Sequence, residues 1–378
     1  MKIFYWSPFF TNIATISAVI KSANSLKLYS NKKIDVSLID AIGEWDKYSS
    51  KIDKNIEIIK LNNFNLIKFL PKNNYIKSRI SYIIIFLINF FKLLKIINNK
   101  KPDYFIIHLI TSLPISLSYF FNNKTKLVLR ISGYPKINFF RKYFWKFFSK
   151  KIYAITCPTE NTKKLLIENN IFDKEKVFVL KDPVIDMKEF VNKKNEILDY
   201  KNLSNKEFIL GIGRLTKQKN FELLINSFKS VVKNYKNLKL VLIGTGENEE
   251  KLKLLVSELN IKDDVYFTGY QENVYKFLKK AKIFVLSSLW EDPGFVLIEA
   301  IISNTTVLAS NCPNGPKEVL GDDKFLFKNN NLDSLNKSIL ELLQQDKETK
   351  KKNSLFLKKR VKDFTKLNHY KKLVEIIK

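Results

Sequence analysis

Cysteine is nearly absent from this chain: two residues, Cys157 and Cys312, stand far apart among 378. That excludes a disulfide framework and points to a reducing compartment. Long apolar runs are missing too. The longest mainly apolar stretch, residues 80–91, falls short of the roughly 20 residues a spanning helix needs, so no transmembrane helix is expected. The N-terminus does not read as a secretory signal, because Ser7 and Pro8 interrupt the apolar stretch after Lys2 and no small-residue cleavage site follows. There is no internal repeat, and no low-complexity block beyond a Lys and Asn bias. Arginine is scarce: only Arg79, Arg130, Arg141, Arg214 and Arg360 stand among 66 basic residues. A planar guanidinium grips phosphate in a way an ammonium does not, so each Arg marks either such a site or an ordinary surface position.

What is present is a globular composition, with 45% hydrophobic residues and four Trp. The length fits two domains with sizeable cores. A net charge of +29 fits nucleic acid, an anionic membrane surface, anionic small ligands or a Lys-rich composition alone. The charge is spread over the whole length and no nucleic-acid-binding module accompanies it, so nucleic acid is not the expected partner.

Short β-branched runs alternate with amphipathic stretches almost throughout, the pattern of parallel sheets covered by helices on both faces. The expected fold class is α/β, with two doubly wound, Rossmann-like domains facing each other across a cleft that holds any ligand at the strand C-terminal ends. The first domain is expected over 1–185 and the second over 206–350. Between them, 186–206 is polar and aperiodic and reads as a linker. The basic segment 355–378 reads as one helix packing back across the boundary.

Two stretches of the second domain carry chemistry. In FILGIGRLTKQKNFELL a strand runs into Gly211-Ile212-Gly213, with Arg214 next and Lys219 five residues on. Glycines at a strand end let the backbone approach a ligand. Two cations on a loop entering a helix suit an anion, most simply a diphosphate. The third glycine of a dinucleotide fingerprint is missing. In SLWEDPGFVLIEA, Glu291 opens a helix, whereas Glu299 sits among apolar residues where a carboxylate is rare without a partner.

Taken in order, G-x-G-R-L-x-x-x-K-N, LVLIGTGE, VYFTGY and FVLSSLWEDPGFVLIEA resemble the family-four retaining glycosyltransferases of the GT-B fold. The resemblance covers the whole second domain. Glu291 and Glu299 match the family's Glu-x7-Glu motif. The resemblance implies that Glu299 holds the ribose of a nucleotide-sugar and that Glu291 lies near the donor sugar. It further implies that Gly294, Phe295 and Val296 offer backbone N–H groups to the distal phosphate and sugar. Arg214 and Lys219, beside Gly213, match the pair that neutralises the leaving diphosphate, and Tyr270 falls where the nucleobase rests. A UDP-hexose or UDP-N-acetylhexosamine donor is expected.

The first domain matches more loosely. The turn after its first strand, SPFFTNIAT, lacks the family's glycines, but Thr11 and Asn12 lie at the equivalent place. Where relatives carry His-Gly, LVLRISGYPK supplies Ser132 and Gly133. His108, ending YFIIH, is a candidate catalytic group or a structural strand end. The family works without a metal or cofactor, and the sequence contains no Asp-x-Asp pair of the kind that holds one. Residues 139–151, FFRKYFWKFFSKK, interleave seven aromatics with basic and polar residues, suiting a helix in the plane of an anionic membrane or one packed on the sheet. CPNGPKEVL and EDPGF resemble bacterial surface-polysaccharide transferases, such as those of lipopolysaccharide or capsule biosynthesis. A glycan or lipid-linked glycan acceptor at the cytoplasmic face of the membrane is therefore expected. The competing expectations are a basic nucleic-acid-binding protein and another GT-B enzyme such as an epimerase or a phosphorylase.

Overall fold

The computed structural model describes residues 1–9, 14–71, 75–121, 124–200 and 203–378. The chain forms two compact units, Met1–Pro183 with Lys366–Lys378, and Val184–Thr365.

The strands of the first unit are β1 (Lys2–Trp6), β2 (Asp35–Asp40), β3 (Glu57–Lys60), β4 (Tyr104–Ile107), β5 (Lys126–Arg130), β6 (Ile152–Cys157) and β7 (Val177–Val179). They form one sheet in the order β3-β2-β1-β4-β5-β6-β7. Every pair is parallel. Its helices are α1 (Ala14–Tyr29), α2 (Tyr75–Lys100), α3 (Ser112–Leu117), α4 (Phe139–Phe148) and α5 (Glu160–Glu168). The second unit contributes α6 (Met187–Lys194), β8 (Glu207–Ile212), α7 (Phe221–Val231), β9 (Leu238–Ile243), α8 (Glu249–Glu258), β10 (Val265–Phe267), α9 (Tyr275–Leu278) and β11 (Ile283–Leu286). It continues with α10 (Phe295–Ile302), β12 (Thr306–Ser310), α11 (Pro316–Leu320), β13 (Leu326–Phe327), α12 (Leu332–Gln344) and α13 (Lys347–Arg360), before α14 (Lys366–Ile377) rejoins the first unit. The second sheet runs β10-β9-β8-β11-β12-β13, again all parallel.

Near-continuous apolar strands are what sheets covered on both faces require. In the first sheet, alternate side chains divide between two cores. Trp6, Phe105 and Leu129 face α2 to α5, whereas Tyr5, Ile106 and Val128 face α1 and α14. The second sheet divides the same way, Phe208 and Phe284 toward α9, α10 and α13, Ile209 and Val285 toward α7, α8 and α12.

Three features differ from the sequence-based expectation. Residues 186–206, expected as linker, belong to the second unit. Asp186 caps α6 by accepting from the amides of Lys188 and Glu189, and Phe190, Leu198 and Leu203 are buried in the core. The expected helix over 355–378 is two helices: α13 stays with the second unit, the break falls at 361–364, and only α14 returns, bonding through His369 to Ser22 of α1 at 2.8 Å. Third, α2 answers the helical period read over 76–97 but departs from the expectation that no helix has the length and apolarity of a membrane span. Among the described residues it is the one helix long and apolar enough to cross a membrane by length and composition. Lys92 and Lys95 end the mainly apolar run of the sequence without ending the helix. The helix is not free-standing, because Ser81, Ile85, Asn89, Leu93 and Ile97, every fourth residue, are fully buried against the first unit.

Candidate active site

In an open parallel sheet, ligands bind beyond the strand C-termini where the strand order reverses. In the second sheet that place lies between β8 and β11, which pair directly and whose neighbours run outward in opposite directions. The loop leaving β8 carries Gly213, Arg214 and Lys219, and the loop leaving β11 carries Ser287, Ser288 and Glu291.

These loops are joined by side-chain and backbone bonds. The Lys219 ammonium rests on the Glu291 carboxylate. The same carboxylate oxygen accepts from the Ser288 hydroxyl at 2.5 Å. Ser287 donates to the Lys219 carbonyl at 2.8 Å, Leu289 N–H donates to the Gln218 carbonyl at 2.8 Å, and the Gln218 amide donates to the Trp290 carbonyl at 2.9 Å. Glu291 is buried, so its ion pair sits where Coulomb interactions are weakly screened. The loop after β12 closes one side, where Pro313 accepts from the Glu291 amide and Asn314 bonds Asp292 at 2.6 Å. Burial, and then the nearby Glu291 carboxylate, push the Cys312 thiol up to about 12, so it stays protonated and unreactive.

Gly294 caps α10 at φ +92°, a conformation that suits glycine. The first amides of α10, those of Phe295 and Val296, have no carbonyl within the helix to bond and form an anion-binding end beside Glu291. Gly244, in the loop after β9, lets that loop press on the first: a Cβ there would lie 1.9 Å from the Gly213 carbonyl oxygen. Sequence reasoning overlooked Gly244, Ser287 and Ser288. The Gly-x-Gly of LVLIGTGE was the available signal for Gly244, and nothing in the sequence marks the serines.

Arg214 is exposed at the end of β8. The other arginines do different work. Arg130 is buried and pairs with Asp182 at 2.7 Å, Arg360 donates to the Glu318 carbonyl at 2.7 Å, Arg141 lies over Trp145 and Arg79 over Tyr82. Glu299 is half-buried in the middle of α10. Its charge, after burial itself, raises the Tyr275 phenol above its ordinary range. Tyr270 is exposed beside Gly269 on the loop after β10. The structure thus brings Gly213, Lys219, Glu291 and Gly294 together, with Glu299 further along α10 and Tyr270 on the loop after β10.

In the first sheet the order reverses between β1 and β4. His108 follows β4, its amide donating to the Trp6 carbonyl at 2.9 Å, and its ring stacks on Tyr5. It is buried, and burial, then the charges of Arg130 and His369, hold its imidazole well below the usual histidine range, so it is neutral at pH 7. The cavity shared by His108, Arg130, Asp182 and His369 is about 10 Å³, room for no more than a water. Ser132 is half-buried and Gly133 exposed after β5. Thr11 and Asn12 lie outside the described residues.

Residues 192–355 match the family model described as glycosyl transferases group 1. The match takes in most of the second unit. Over 246 residues, 61% of this chain, it is 33% identical to an uncharacterized glycosyltransferase of Methanocaldococcus jannaschii. The chain spans 61% and 63% of the lengths of that relative and of a Campylobacter jejuni diphospho-undecaprenol N-acetylgalactosaminyltransferase. A second C. jejuni relative, an α-1,4-N-acetyl-D-galactosaminyltransferase acting on a diNAcBac-PP-undecaprenol glycan, is 27% identical over 94% of this chain and 91% of its own. Among solved structures, Anabaena HepE with UDP superposes with a TM-score of 0.74 at 13% identity, covering 99% of each chain. TarM superposes at 0.73 with 16% identity, covering 100% of this chain and 98% of its own. These structural likenesses establish the α/β GT-B fold for a chain whose second unit carries the group 1 glycosyltransferase match.

Proposed function

We propose that this chain transfers a hexose or N-acetylhexosamine from a UDP-sugar to a lipid-linked or surface-polysaccharide glycan, with retention of anomeric configuration and without metal or cofactor. One observation carries the proposal: Lys219 held on Glu291 at the β8/β11 switch point, beside Arg214 and the N-terminus of α10. Without donor, Glu291 and Lys219 neutralise one another. A diphosphate brings the second anion that Lys219 can serve, and the exposed Arg214 fork takes two of its oxygens. The amides of Phe295 and Val296 face the distal phosphate and sugar. As the bond to the anomeric carbon breaks, negative charge grows on the leaving phosphate, and these fixed cations and dipoles lower its energy most at that moment. Glu291, already paired and buried, orients Lys219 and the sugar rather than attacking carbon. Glu299 takes the ribose hydroxyls and Tyr270 the base.

On the acceptor side we place the end of β4 and the turn after β5, with His108 as a neutral hydrogen-bonding group, Ser132 and Gly133, together with Thr11 and Asn12. The undecaprenol-linked acceptors named for the C. jejuni relatives support a lipid-linked acceptor. The exposed rings of α4, Phe139, Phe140, Tyr143 and Phe147, support work at the inner face of the cytoplasmic membrane.

A thermal-shift screen of UDP-, GDP- and ADP-sugars tests the donor. Stabilisation by UDP-sugars alone is expected, followed by an axial product anomer in NMR of the transfer reaction. If no nucleotide-sugar stabilises the folded chain, the proposal falls.

A further inference from the structure

Among the described residues, the outward face of α2 is left exposed by its own unit. Ile80, Ile83, Leu87, Ile88 and Phe91 are exposed, Leu87 by 67% and Phe91 by 78%. At 100° per residue they fall on one stripe, opposite the buried Ser81, Ile85, Asn89, Leu93 and Ile97. Solvent-facing stripes of this kind are not a normal cost of folding, and contiguous apolar surface marks a binding face.

The stripe is not isolated. Phe91 touches Phe90, whose ring stands 6.4 Å from that of Phe120, itself exposed. The ring of the neighbouring Tyr119 lies tilted, 6.0 Å from that of Phe147 of α4, which continues the surface through Tyr143 and Phe139. One apolar, aromatic face therefore runs from α2 through 119–120 to α4.

Charge says what covers it. Between Glu57 and Glu160 the sequence holds eighteen Lys and Arg and a single acidic residue, Asp103. Exposed Lys77 and Arg79 flank the α2 stripe at one end, Lys92 and Lys95 at the other. Lys151 lies over the Tyr119 ring. Apolar side chains bracketed by cations match the boundary between acyl chains and anionic headgroups. A second copy is disfavoured, because a two-fold contact would set this nearly acid-free surface against itself.

We infer that α2 seats this unit in an anionic bilayer surface, with 119–120 and α4 lying beside it at headgroup level. The stripe enters the acyl boundary while the buried stripe stays locked to the sheet, so the helix lies in the interface plane and does not cross. The biological setting rests on the membrane reading above, but the contact is separable from sugar transfer.

The test uses the full chain and vesicles of phosphatidylcholine with or without phosphatidylglycerol. Cys157 and Cys312 are buried, so an environment-sensitive fluorophore on Leu87→Cys reports that position alone. Its emission is expected to shift to the blue with phosphatidylglycerol vesicles only and to revert in high salt, while the same label on Lys262→Cys stays unchanged. Leu87→Glu/Phe91→Glu should melt as wild type, keep its donor affinity, and lose about tenfold or more in vesicle partitioning. A silent label at 87, or a double variant that pellets like wild type, overturns the inference. So does a wild-type dimer that the double variant dissociates while vesicle binding persists. Intact vesicle binding in a protein that binds no nucleotide-sugar would sink the transferase proposal and leave this one standing.

Discussion

The Lys219 ammonium, from the loop leaving β8, rests on the buried Glu291 carboxylate from the loop leaving β11. Each partner desolvates the other's charge, so breaking the pair leaves an uncompensated ion inside the protein. Truncating one partner of such a pair costs about 3–5 kcal/mol, whereas replacing both with apolar groups can cost nothing. Glu291→Ala should therefore lower unfolding stability in urea by roughly 3 kcal/mol. Lys219→Met/Glu291→Leu should recover much of that loss without recovering donor binding. A double variant that binds donor normally would show the pair to be architecture alone.

Glu299 is half-buried in the middle of α10. If it holds the ribose, Glu299→Ala removes charge-assisted hydrogen bonds worth about 1.5–3 kcal/mol each. Donor affinity by isothermal titration should drop at least tenfold in a protein that melts normally. Unchanged affinity would assign Glu299 to the Tyr275 neighbourhood instead.

Arg214 is exposed, so changing it should leave the melting curve in place. Arg214→Lys preserves the charge but loses the fork that grips two phosphate oxygens. Turnover should fall by an order of magnitude or more, and a variant that works like wild type would remove Arg214 from the diphosphate site.

Metal removal is a separate test. Transfer should continue in EDTA at the untreated rate, since Lys219, Arg214 and the α10 amides supply the charge a cation would supply elsewhere. Activity lost in EDTA and restored by Mg²⁺ or Mn²⁺ contradicts the metal-free reaction.

The first unit should lose stability in mild acid. His369, bonded to Ser22 and to the Lys181 carbonyl, is held by burial at about 4 against an ordinary 6.5. Below pH 6.5 the unfolded chain takes up a proton that the folded chain refuses until about pH 4, so stability falls as pH drops through that window. The loss is on the order of 3 kcal/mol for this group, and His108, shifted the same way by burial, adds to it. Urea unfolding at pH 7 and pH 5 should show the decline, and His369→Gln should flatten it. A wild-type protein equally stable at both values refutes the buried neutral state.

Much of the fold was open to reading before any coordinates. The strands announce themselves as β-branched runs because both faces of each sheet are covered, and the glycines at the end of β8 show where the backbone leaves room for a ligand. Segments governed by caps rather than periodicity stayed hidden. Asp186 and Glu189 start α6 inside a stretch whose Lys and Asn content resembles a linker, and the apolar run of α2, though not its helical period, is cut short in the sequence by polar residues that lie on its flanks or, like Asn89, face Asn62 across the core.

For the site, the sequence by itself determined the parts: two cations behind a Gly-x-Gly, two carboxylates eight residues apart, a glycine ahead of an apolar helix. Local spacing is enough for that, because each motif belongs to one loop or one helix. Which parts meet was decided by tertiary structure alone. Lys219 and Glu291 are 72 positions apart and come together because β8 and β11 are neighbours in the sheet although β9 and β10 intervene in the chain. Arg130 and Arg214 look alike as rare arginines, yet burial against Asp182 made one a core ion and an exposed strand end left the other for a ligand. The same holds for α2, whose middle is apolar on every side in composition. Only packing on the sheet fixed which side of it faces the core and which faces outward.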